Sequence, residues 1–347
     1  MKGRLILHGA LAGRPAAALM IDGRLEDALI APPDDVPPPE AVYRAKIGRP
    51  VKGLGGVFVE LPGGRGFLRA GRQVPPAGQS RLVQIAAHAE PGKAPPVTDR
   101  LRLKGRLAIA TPAAPGANLS RGIRGHEARA RLSALAEAEI QALPEGCGLI
   151  LRTAAAAATD DEIIGELAAL RARLSALTAA GNGPPAQVVD APGPAGMARR
   201  EWWTPDAAES SGDAFDAHGV ADALAALAGP VPLPAGATMS VEPTRALIAV
   251  DVNTGADVTP AAGLKANLAA ADALPRHLRL TGLGGQIVID PAPMPAPRRE
   301  RMAEALKAAF RADPVDTQAL SWTALGHFEL RRKRVRWPLP LAEIAAE

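Results

Sequence analysis

The chain has 347 residues, of which 47% are hydrophobic and 3% aromatic, and its formal net charge at pH 7 is +4. This length allows two or three domains with a sizeable core, and the hydrophobic fraction argues against a disordered chain. The single cysteine, Cys147, excludes a disulfide framework. No signal peptide is recognisable and no apolar run approaches about 20 residues, so the sequence predicts a cytoplasmic protein without a membrane span.

Charge is unevenly distributed along the chain. Residues 41–106 carry thirteen Lys and Arg against three acidic residues, and residues 298–336 carry ten against five. Between them, residues 199–250 reverse the balance, with three Arg against seven acids. Two basic segments around an acidic one indicate two surfaces for a polyanion. The alternative is that each charged run is only a solvated face.

The N-terminal third predicts strands. The opening RLILHGALAGRPAAALMIDGRLEDALI holds two apolar runs and an Asp-Gly turn at Asp22-Gly23, a pattern typical of strand, strand, hairpin turn and strand. A Pro/Asp linker, APPDDVPPPE, marks a boundary. From residue 41 to about residue 99, short strands alternate with Gly-rich turns in the basic segment, which predicts a small OB-type barrel.

The middle of the chain mixes strands and helices. A strand is predicted at 106–111, a helix at 125–142, and a second strand in EGCGLILRTAAAA. A helix follows from Asp160, whose acidic first turn suits the helix dipole. Residues 181–236 are looser in composition, and they predict one clear helix, VADALAALAG.

The region from 246 to 294 predicts a strand, a helix and a strand that bring two carboxylates together. The apolar runs 247–250 and 287–289 precede Asp251 and Asp290, and the residues between them have apolar positions at helical spacing. A right-handed crossover makes the two strands parallel, so their carboxyl ends meet at one edge. Ligands bind at that edge in α/β sheets.

Two carboxylates at one edge suit Mg²⁺, which proteins usually hold through one or two carboxylates with waters and phosphate oxygens. Asn253 follows Asp251 by two positions and would share its face of the strand. Its amide would then orient a phosphate oxygen or a metal-bound water. The alternative is that each aspartate only starts a turn or caps a helix.

The C-terminal part predicts an amphipathic helix in APRRERMAEALKAAFRADP, a strand, and the basic run TALGHFELRRKR. Arg298, Arg299 and Arg332 would neutralise backbone phosphates of a nucleic acid near the cleft. For the first two, a solvated helix end is the alternative.

The segments DVNTGA, NLAAADALPRHLRL, LGGQIVID and TALGHFELRRKR closely resemble the catalytic half of the ribonuclease E/G family. The resemblance implies a multidomain α/β and α+β protein, with ribonuclease H-like and DNase I-like catalytic subdomains and an inserted OB-fold RNA-binding domain. The implied parts are the first piece of the ribonuclease H-like subdomain at 1–35, the OB fold at 36–100, a sensor of the RNA 5′ end at 101–185, the reduced second piece of the ribonuclease H-like subdomain at 186–238, and the DNase I-like subdomain at 239–347.

The resemblance also implies a catalytic site. Asp251 and Asp290 would hold the catalytic Mg²⁺, and Asn253 would assist. The expected activity is a Mg²⁺-dependent endoribonuclease that cuts A/U-rich single-stranded stretches of messenger and precursor ribosomal RNA. Its products would carry a 5′-phosphate and a 3′-hydroxyl.

Two RNA-binding regions follow from the same resemblance. The run GGVFVELPGGRGFL matches the family's OB fold, in which Phe58 and Phe67 would stack on RNA and Lys93 would contact it. The run GCGLILRTA matches the 5′-end sensor, in which Arg152 and Thr153 would bind a 5′-monophosphate through a guanidinium fork and a hydroxyl. The alternatives are that both phenylalanines are core residues and that the Arg-Thr pair reflects turn chemistry.

The sequence departs from the family at several positions. Pro293 replaces an acidic residue, Ala87 replaces an RNA-contacting lysine, and Pro275 should kink or shorten the central helix. The cysteine pair that links larger members through zinc is missing, so any homodimer would form without zinc. The reduced subdomain and the missing zinc link favour a second hypothesis, an RNA-binding protein with weak or no catalysis. A third is a metal-dependent phosphodiesterase that acts on DNA or small molecules.

Overall fold

A computed structural model describes residues 3–51, 53–69, 75–202, 206–259 and 261–346. The chain forms two units, one of residues 1–33 and 204–347 and one of residues 34–203. The second unit is therefore an insertion in the sequence of the first. In the described residues, no helix is long and apolar enough to cross a membrane.

Three antiparallel strands begin the first unit: β1 (Arg4–Leu11), β2 (Arg14–Ile21) and β3 (Arg24–Ile30). The predicted hairpin turn is confirmed, because Asp22 and Gly23 connect β2 to β3 with φ values of 50° and 80°. Asp-Gly favours such turns, since both central residues must adopt a positive φ.

The insertion opens with a barrel of five strands: β4 (Val42–Val51), β5 (Gly56–Leu61), β6 (Gly64–Arg69), β7 (Ser80–Ile85) and β8 (Pro96–Thr98). The strands pair in the order β4-β5-β6-β8-β7, and β7 pairs again with β4, which closes the sheet. Alternate residues of β5, Val57, Val59 and Leu61, fill the barrel core. A closed five-stranded barrel is compatible with the predicted OB fold.

A second sheet and two long helices complete the core of the insertion. Its elements are β9 (Leu103–Lys104), β10 (Ala108–Thr111), β11 (Gly116–Leu119), α1 (His126–Ile140), β12 (Gly148–Leu151) and α2 (Asp160–Ala179). The strands lie in the order β11-β12-β10-β9, and buried leucines of both helices pack in the same core as the sheet. Thr159 caps α2 through a reciprocal capping box with Glu162.

The last elements of the insertion are β13 (Ala186–Val189) and α3 (Pro194–Glu201). We expected residues from 186 onward to belong to the ribonuclease H-like part, but residues up to 202 lie in the inserted unit. The physical reason is an open edge on β4. Strand β5 pairs with β4 only from Lys46 onward, so one edge of the first residues of β4 is not used by β5. Strand β13 pairs with that edge at Val42–Arg44.

Returning to the first unit, the chain forms β14 (Ala207–Glu209), α4 (Ala214–Ala217) and α5 (Val220–Ala225). Strand β14 pairs in parallel with β1. Phe215, Val220 and Leu224 are buried in one cluster with Leu7 and Ala18 of the N-terminal strands. A distant segment of the chain thus completes the N-terminal sheet.

The rest of the first unit is a six-stranded sheet with helices. Its elements are β15 (Val231–Pro232), β16 (Thr238–Pro243), β17 (Ile248–Asn253), α6 (Ala262–Thr281), β18 (Gly285–Asp290), α7 (Arg299–Ala312), β19 (Thr317–Trp322), β20 (Phe328–Arg332) and α8 (Leu341–Ile344). The strand order is β15-β16-β17-β18-β20-β19. The predicted unit of strand, helix and parallel strand is confirmed by β17, α6 and β18.

Helix α6 runs through Pro275 to Thr281, so the expectation that Pro275 shortens it is wrong. Proline removes one helical hydrogen bond, but Leu274 and Leu278 on either side of it are buried in the core. This apolar packing holds the helix together across the proline, since tertiary packing rather than propensity supplies most helical stability.

The two faces of the six-stranded sheet differ in burial. Val250, Val252, Ile287 and Ile289 point into a core that they share with buried residues of α6 and α7. The intervening residues Asp251, Asn253 and Asp290 are exposed, because successive side chains of a strand point to opposite faces. The polar residues of interest therefore lie on the face opposite the helices, which we call the open face.

Candidate active site

Asp251 and Asp290 lie side by side on the open face. They are register partners in the parallel pair β17 and β18, and adjacent strands lie about 4.8 Å apart. The predicted meeting of the two carboxylates is therefore confirmed. Asp251 lies inside β17 rather than after it, so it does not start a turn.

Asn253 lies on the same face as Asp251 and bonds to it. Its amide Nδ2 donates a hydrogen bond of 2.6 Å to Asp251 Oδ2. The predicted period of two along the strand is confirmed. The hydrogen bond fixes one carboxylate oxygen of Asp251, and the other has no hydrogen-bond partner among the residues that the structure describes.

A histidine that the sequence analysis did not single out adjoins the pair. His327 Nε2 lies 3.7 Å from Asp290 Oδ1, and on the other side Ser240 is the register partner of Asp251. Ser240, Asp251 and Asp290 thus form one row across β16, β17 and β18, and His327, the residue just before β20, extends it. The run containing His327 was recognised, but the antiparallel pairing of β20 with β18 is a long-range feature that the sequence does not display.

The segment after Asp290 is fixed by a buried asparagine of α6. Asn267 is 0% exposed. Its Nδ2 donates to the Ala292 carbonyl at 2.9 Å, and its Oδ1 accepts from the Ala292 N–H at 2.9 Å. Both polar atoms of a buried amide are satisfied in this way. Asn267 therefore holds the backbone two residues beyond Asp290. In the sequence it belonged to a recognised motif, but no chemical role was predicted for it.

The donor set fits Mg²⁺ better than a tightly caged metal. Among the residues that the structure describes, no group of three or more His, Cys, Asp or Glu side chains is placed to hold an ion. Mg²⁺ needs no such cage, because it usually keeps several waters and binds through one or two carboxylates. Asp251 and Asp290 supply two hard oxygen donors that are open to solvent.

The three arginines predicted to contact phosphates differ in accessibility. Arg298 is exposed just before α7, and the guanidinium of Arg299 lies over the Trp322 ring, 5.3 Å from its centroid. Arg332 is 2% exposed, and its Nη1 lies 3.0 Å from Asp313 Oδ1. The prediction for Arg332 is therefore wrong, because β20 turns this side chain toward the helices.

In the barrel, Phe58 and Phe67 face each other on β5 and β6. Their ring centroids are 5.3 Å apart with an interplanar angle of 66°, and Arg65 lies over the Phe58 ring at 4.7 Å. Both rings are half-buried, whereas Val57 and Val59 fill the core. A Cβ at Gly56 would lie 2.6 Å from Phe67 Cζ, so this glycine leaves room for the ring. The reading of both rings as core residues is wrong.

Lys93 lies in the loop between β7 and β8. Its side chain is 69% exposed, and its ammonium pairs with Glu90. An exposed pair of this kind contributes little to stability, so the lysine is free to exchange Glu90 for another anion.

The predicted 5′-end residues both have partners in the protein. Arg152 Nη1 donates to the Gly105 carbonyl at 2.7 Å, and its Nη2 donates to Glu201 Oε2 at 2.8 Å. The Thr153 hydroxyl lies 2.9 Å from the Ser120 hydroxyl. Glu201 is a further residue that the sequence analysis missed, because it is 49 positions away in the chain.

Comparison with known proteins identifies related sequences. The sequence profile described as Ribonuclease E/G family matches residues 102–210 and 204–335. Ribonuclease E of Nostoc sp. is 30% identical over 300 residues, covering 74% of this chain and 43% of that protein. Ribonuclease E of Escherichia coli is 27% identical over 394 residues, covering 96% of this chain and 37% of that protein. Ribonuclease G of Escherichia coli is 37% identical over 111 residues, covering 30% of this chain and 23% of that protein. The chain thus spans less than half the length of these relatives.

Proposed function

Since the chain belongs to the ribonuclease E/G family, we propose that it is a Mg²⁺-dependent endoribonuclease that cleaves single-stranded RNA. The observation that carries this proposal is the adjacent pair Asp251 and Asp290, with Asn253 bonded to Asp251. Two exposed carboxylates side by side repel a polyanion. A protein that only bound RNA would gain nothing from them, whereas a nuclease needs them to hold a cation.

The mechanism assigns separate tasks to the three residues. Asp251 and Asp290 would hold Mg²⁺, which would supply a Lewis acid that activates water and offsets charge on the phosphate. Asn253 keeps Asp251 in place and orients the attacking water or a phosphate oxygen with its own amide. Water attacks phosphorus, the bond from phosphorus to O3′ breaks, and a proton passes to O3′. The products are a 5′-phosphate and a 3′-hydroxyl.

RNA contacts are assigned to the inserted unit. Phe58 and Phe67 present half-buried rings on the outside of the barrel, and unpaired bases stack on such rings at about 1–3 kcal/mol each. Arg65 above Phe58 and Lys93 in the loop between β7 and β8 add positive charge for the phosphates. Stacking needs splayed bases, so the substrate is single-stranded.

The finer proposals rest on the family resemblance. Arg152 and Thr153 bind a 5′-monophosphate and favour RNA that carries one. The cleaved sites are A/U-rich stretches of messenger and precursor ribosomal RNA, and the protein works in the cytoplasm. A homodimer of this chain would lack a zinc link through cysteines. Arg298 and Arg299 contribute backbone contacts near the cleavage site.

The test uses one short single-stranded RNA with either a 5′-monophosphate or a 5′-hydroxyl. We would incubate it with the protein and with Asp251→Ala, Asp290→Ala and Asp272→Ala, in Mg²⁺ and in chelator. Asp272 is an exposed aspartate of α6 and serves as the matched control. Internal cleavage that requires Mg²⁺, Asp251 and Asp290 but not Asp272 supports the proposal. Equal RNA binding by all proteins without any cleavage refutes it and leaves an RNA-binding protein.

A further inference from the structure

The guanidinium of Arg152 is already engaged by a carboxylate. Glu201 Oε2 lies 2.8 Å from Arg152 Nη2, and the two side chains are 29% and 25% exposed. Arg152 Nη1 donates to the Gly105 carbonyl, so the end of the guanidinium fork has a protein partner on each nitrogen. Charge-assisted bonds of this length are the strong ones. Any phosphate that uses the end of the fork must compete with Glu201.

Glu201 is held from its other side as well. Its Oε1 lies 2.7 Å from Arg200 Nε. Burial alone would raise the pKa of Glu201, but the charges of Arg152 and Arg200 and their hydrogen bonds outweigh it, so the pKa is lowered. The group is therefore an anion at neutral pH. A carboxylate that bridges two guanidinium groups has the charge and the oxygen spacing of part of a phosphate.

Arg200 in turn has partners of its own. It is 9% exposed, and it bonds Glu40 with both Nη atoms at 2.7 and 2.9 Å. Glu40 also pairs with Lys104 at 3.0 Å. Lys104, Glu40, Arg200, Glu201 and Arg152 thus form a chain of alternating charges, with Arg152 at its end.

We propose that Glu201 is a specificity-determining residue of the 5′-end site: an internal anion that holds Arg152 in the RNA-free protein and that a 5′-monophosphate displaces. This inference rests on the proposed function of Arg152. A 5′-monophosphate carries between one and two negative charges at neutral pH and replaces the single charge of Glu201. A 5′-hydroxyl carries none and leaves the carboxylate in place. Glu201 therefore lowers the affinity for the monophosphate and leaves that for the hydroxyl unchanged, so it limits how strongly the protein prefers the monophosphate end.

The displaced carboxylate keeps a cationic partner. Removing one member of a buried ion pair is costly because it leaves an uncompensated charge. When Glu201 leaves Arg152, its Oε1 stays with Arg200, and the fork between Arg200 and Glu40 is untouched. The exchange thus replaces one anion at Arg152 by another, and no charge is left unpaired.

The experiment measures dissociation constants by fluorescence anisotropy, in chelator so that no RNA is cut. The probes are one single-stranded RNA with a 5′-monophosphate and the same RNA with a 5′-hydroxyl. Glu201→Gln keeps the side-chain shape and removes the charge, so binding of the monophosphate RNA should tighten about fivefold, the equivalent of the ~1 kcal/mol of a partly exposed ion pair. Binding of the hydroxyl RNA should not change.

Two further variants guard the interpretation. Glu201→Asp shortens the reach to Arg152 but keeps a charge for Arg200, so it should give a smaller gain in the same direction. Glu139→Gln removes an acid that pairs with Arg171 at 3.3 Å in the same unit, and it should change neither affinity. Circular dichroism melting of each variant checks that the fold is intact.

Arg152→Ala separates the two levels of the proposal. If it abolishes the preference for the monophosphate while Glu201→Gln and Glu201→Asp leave monophosphate binding unchanged or weaker, the role of Glu201 as an internal competitor is overturned. If Arg152→Ala keeps the wild-type preference, or if the wild-type protein has none, the 5′-end site itself fails and the inference fails with it. Tighter monophosphate binding by both Glu201 variants, lost on adding Arg152→Ala, supports both.

Discussion

Arg332 and Arg331 are adjacent in β20, but the first side chain is buried and the second is exposed. The Arg332 side chain is 1% exposed and pairs with Asp313, whose side chain is 0% exposed, whereas Arg331 is exposed. We predict that Arg332→Ala destabilises the protein and that Arg331→Ala does not. The pair of variants tests whether Arg332 is buried and therefore unable to contact a phosphate.

The size of the destabilisation depends on the partners that Asp313 keeps when Arg332 is removed. Breaking a buried ion pair costs about 3–5 kcal/mol. Asp313 keeps Arg279 at 2.6 Å and the Val315 N–H at 2.8 Å, so we expect the lower end, about 3 kcal/mol. Arg331→Ala removes a surface side chain and should change the free energy of unfolding by less than about 0.5 kcal/mol.

Urea denaturation followed by circular dichroism measures the free energy of unfolding of each variant. A second measurement tests RNA binding: the slope of log K for single-stranded RNA against log salt concentration, under conditions in which both variants are folded. Each lost phosphate contact lowers that slope by about 0.7 for single strands. Arg332→Ala should leave the slope unchanged. A stable Arg332→Ala protein with a reduced slope would refute the assignment and return Arg332 to the RNA-binding surface.

Three other predictions follow from the described contacts. Phe58→Ala and Phe67→Ala should each weaken single-stranded RNA binding by about 1–3 kcal/mol, as measured by anisotropy; unchanged affinity in either variant would remove that ring from the RNA surface. Asn253→Ala frees Asp251 and should raise the Mg²⁺ concentration for half-maximal cleavage by about tenfold, whereas an unchanged Mg²⁺ requirement would contradict this role. Burial lowers the pKa of His277 from 6.5 to about 4, so the unfolded chain takes up a proton here before the folded protein does. The contribution of His277 to folding stability is therefore complete above pH 6.5 and is lost progressively as the pH falls to about 4. His277→Leu should reduce the loss of stability in that window in urea titrations at several pH values, and an unaltered pH dependence would argue against a buried neutral imidazole.

Much of the candidate site was predictable from local sequence. Apolar runs before Asp251 and Asp290, with a helical pattern between them, predicted their meeting, because a right-handed crossover leaves few arrangements for such a unit. The shared face of Asp251 and Asn253 follows from the period of two in a strand. The turn at Asp22-Gly23 follows from the positive φ that these residues tolerate. Each of these features depends on neighbouring residues and a general rule of chain geometry.

Other features depend on which elements pack together, and the tertiary structure decided them. His327 adjoins Asp290 because β20 pairs with β18, and Glu201 reaches Arg152 from 49 positions away. In the run RRKR, alternation predicts that Arg331 and Arg332 point to opposite faces, but it does not say which face the helices cover. Packing of α6 and α7 decides that, since it buries the side of the sheet that carries Arg332. Sequence periodicity therefore determined how side chains alternate, and long-range packing determined which of them are exposed on the open face and which are buried in the core.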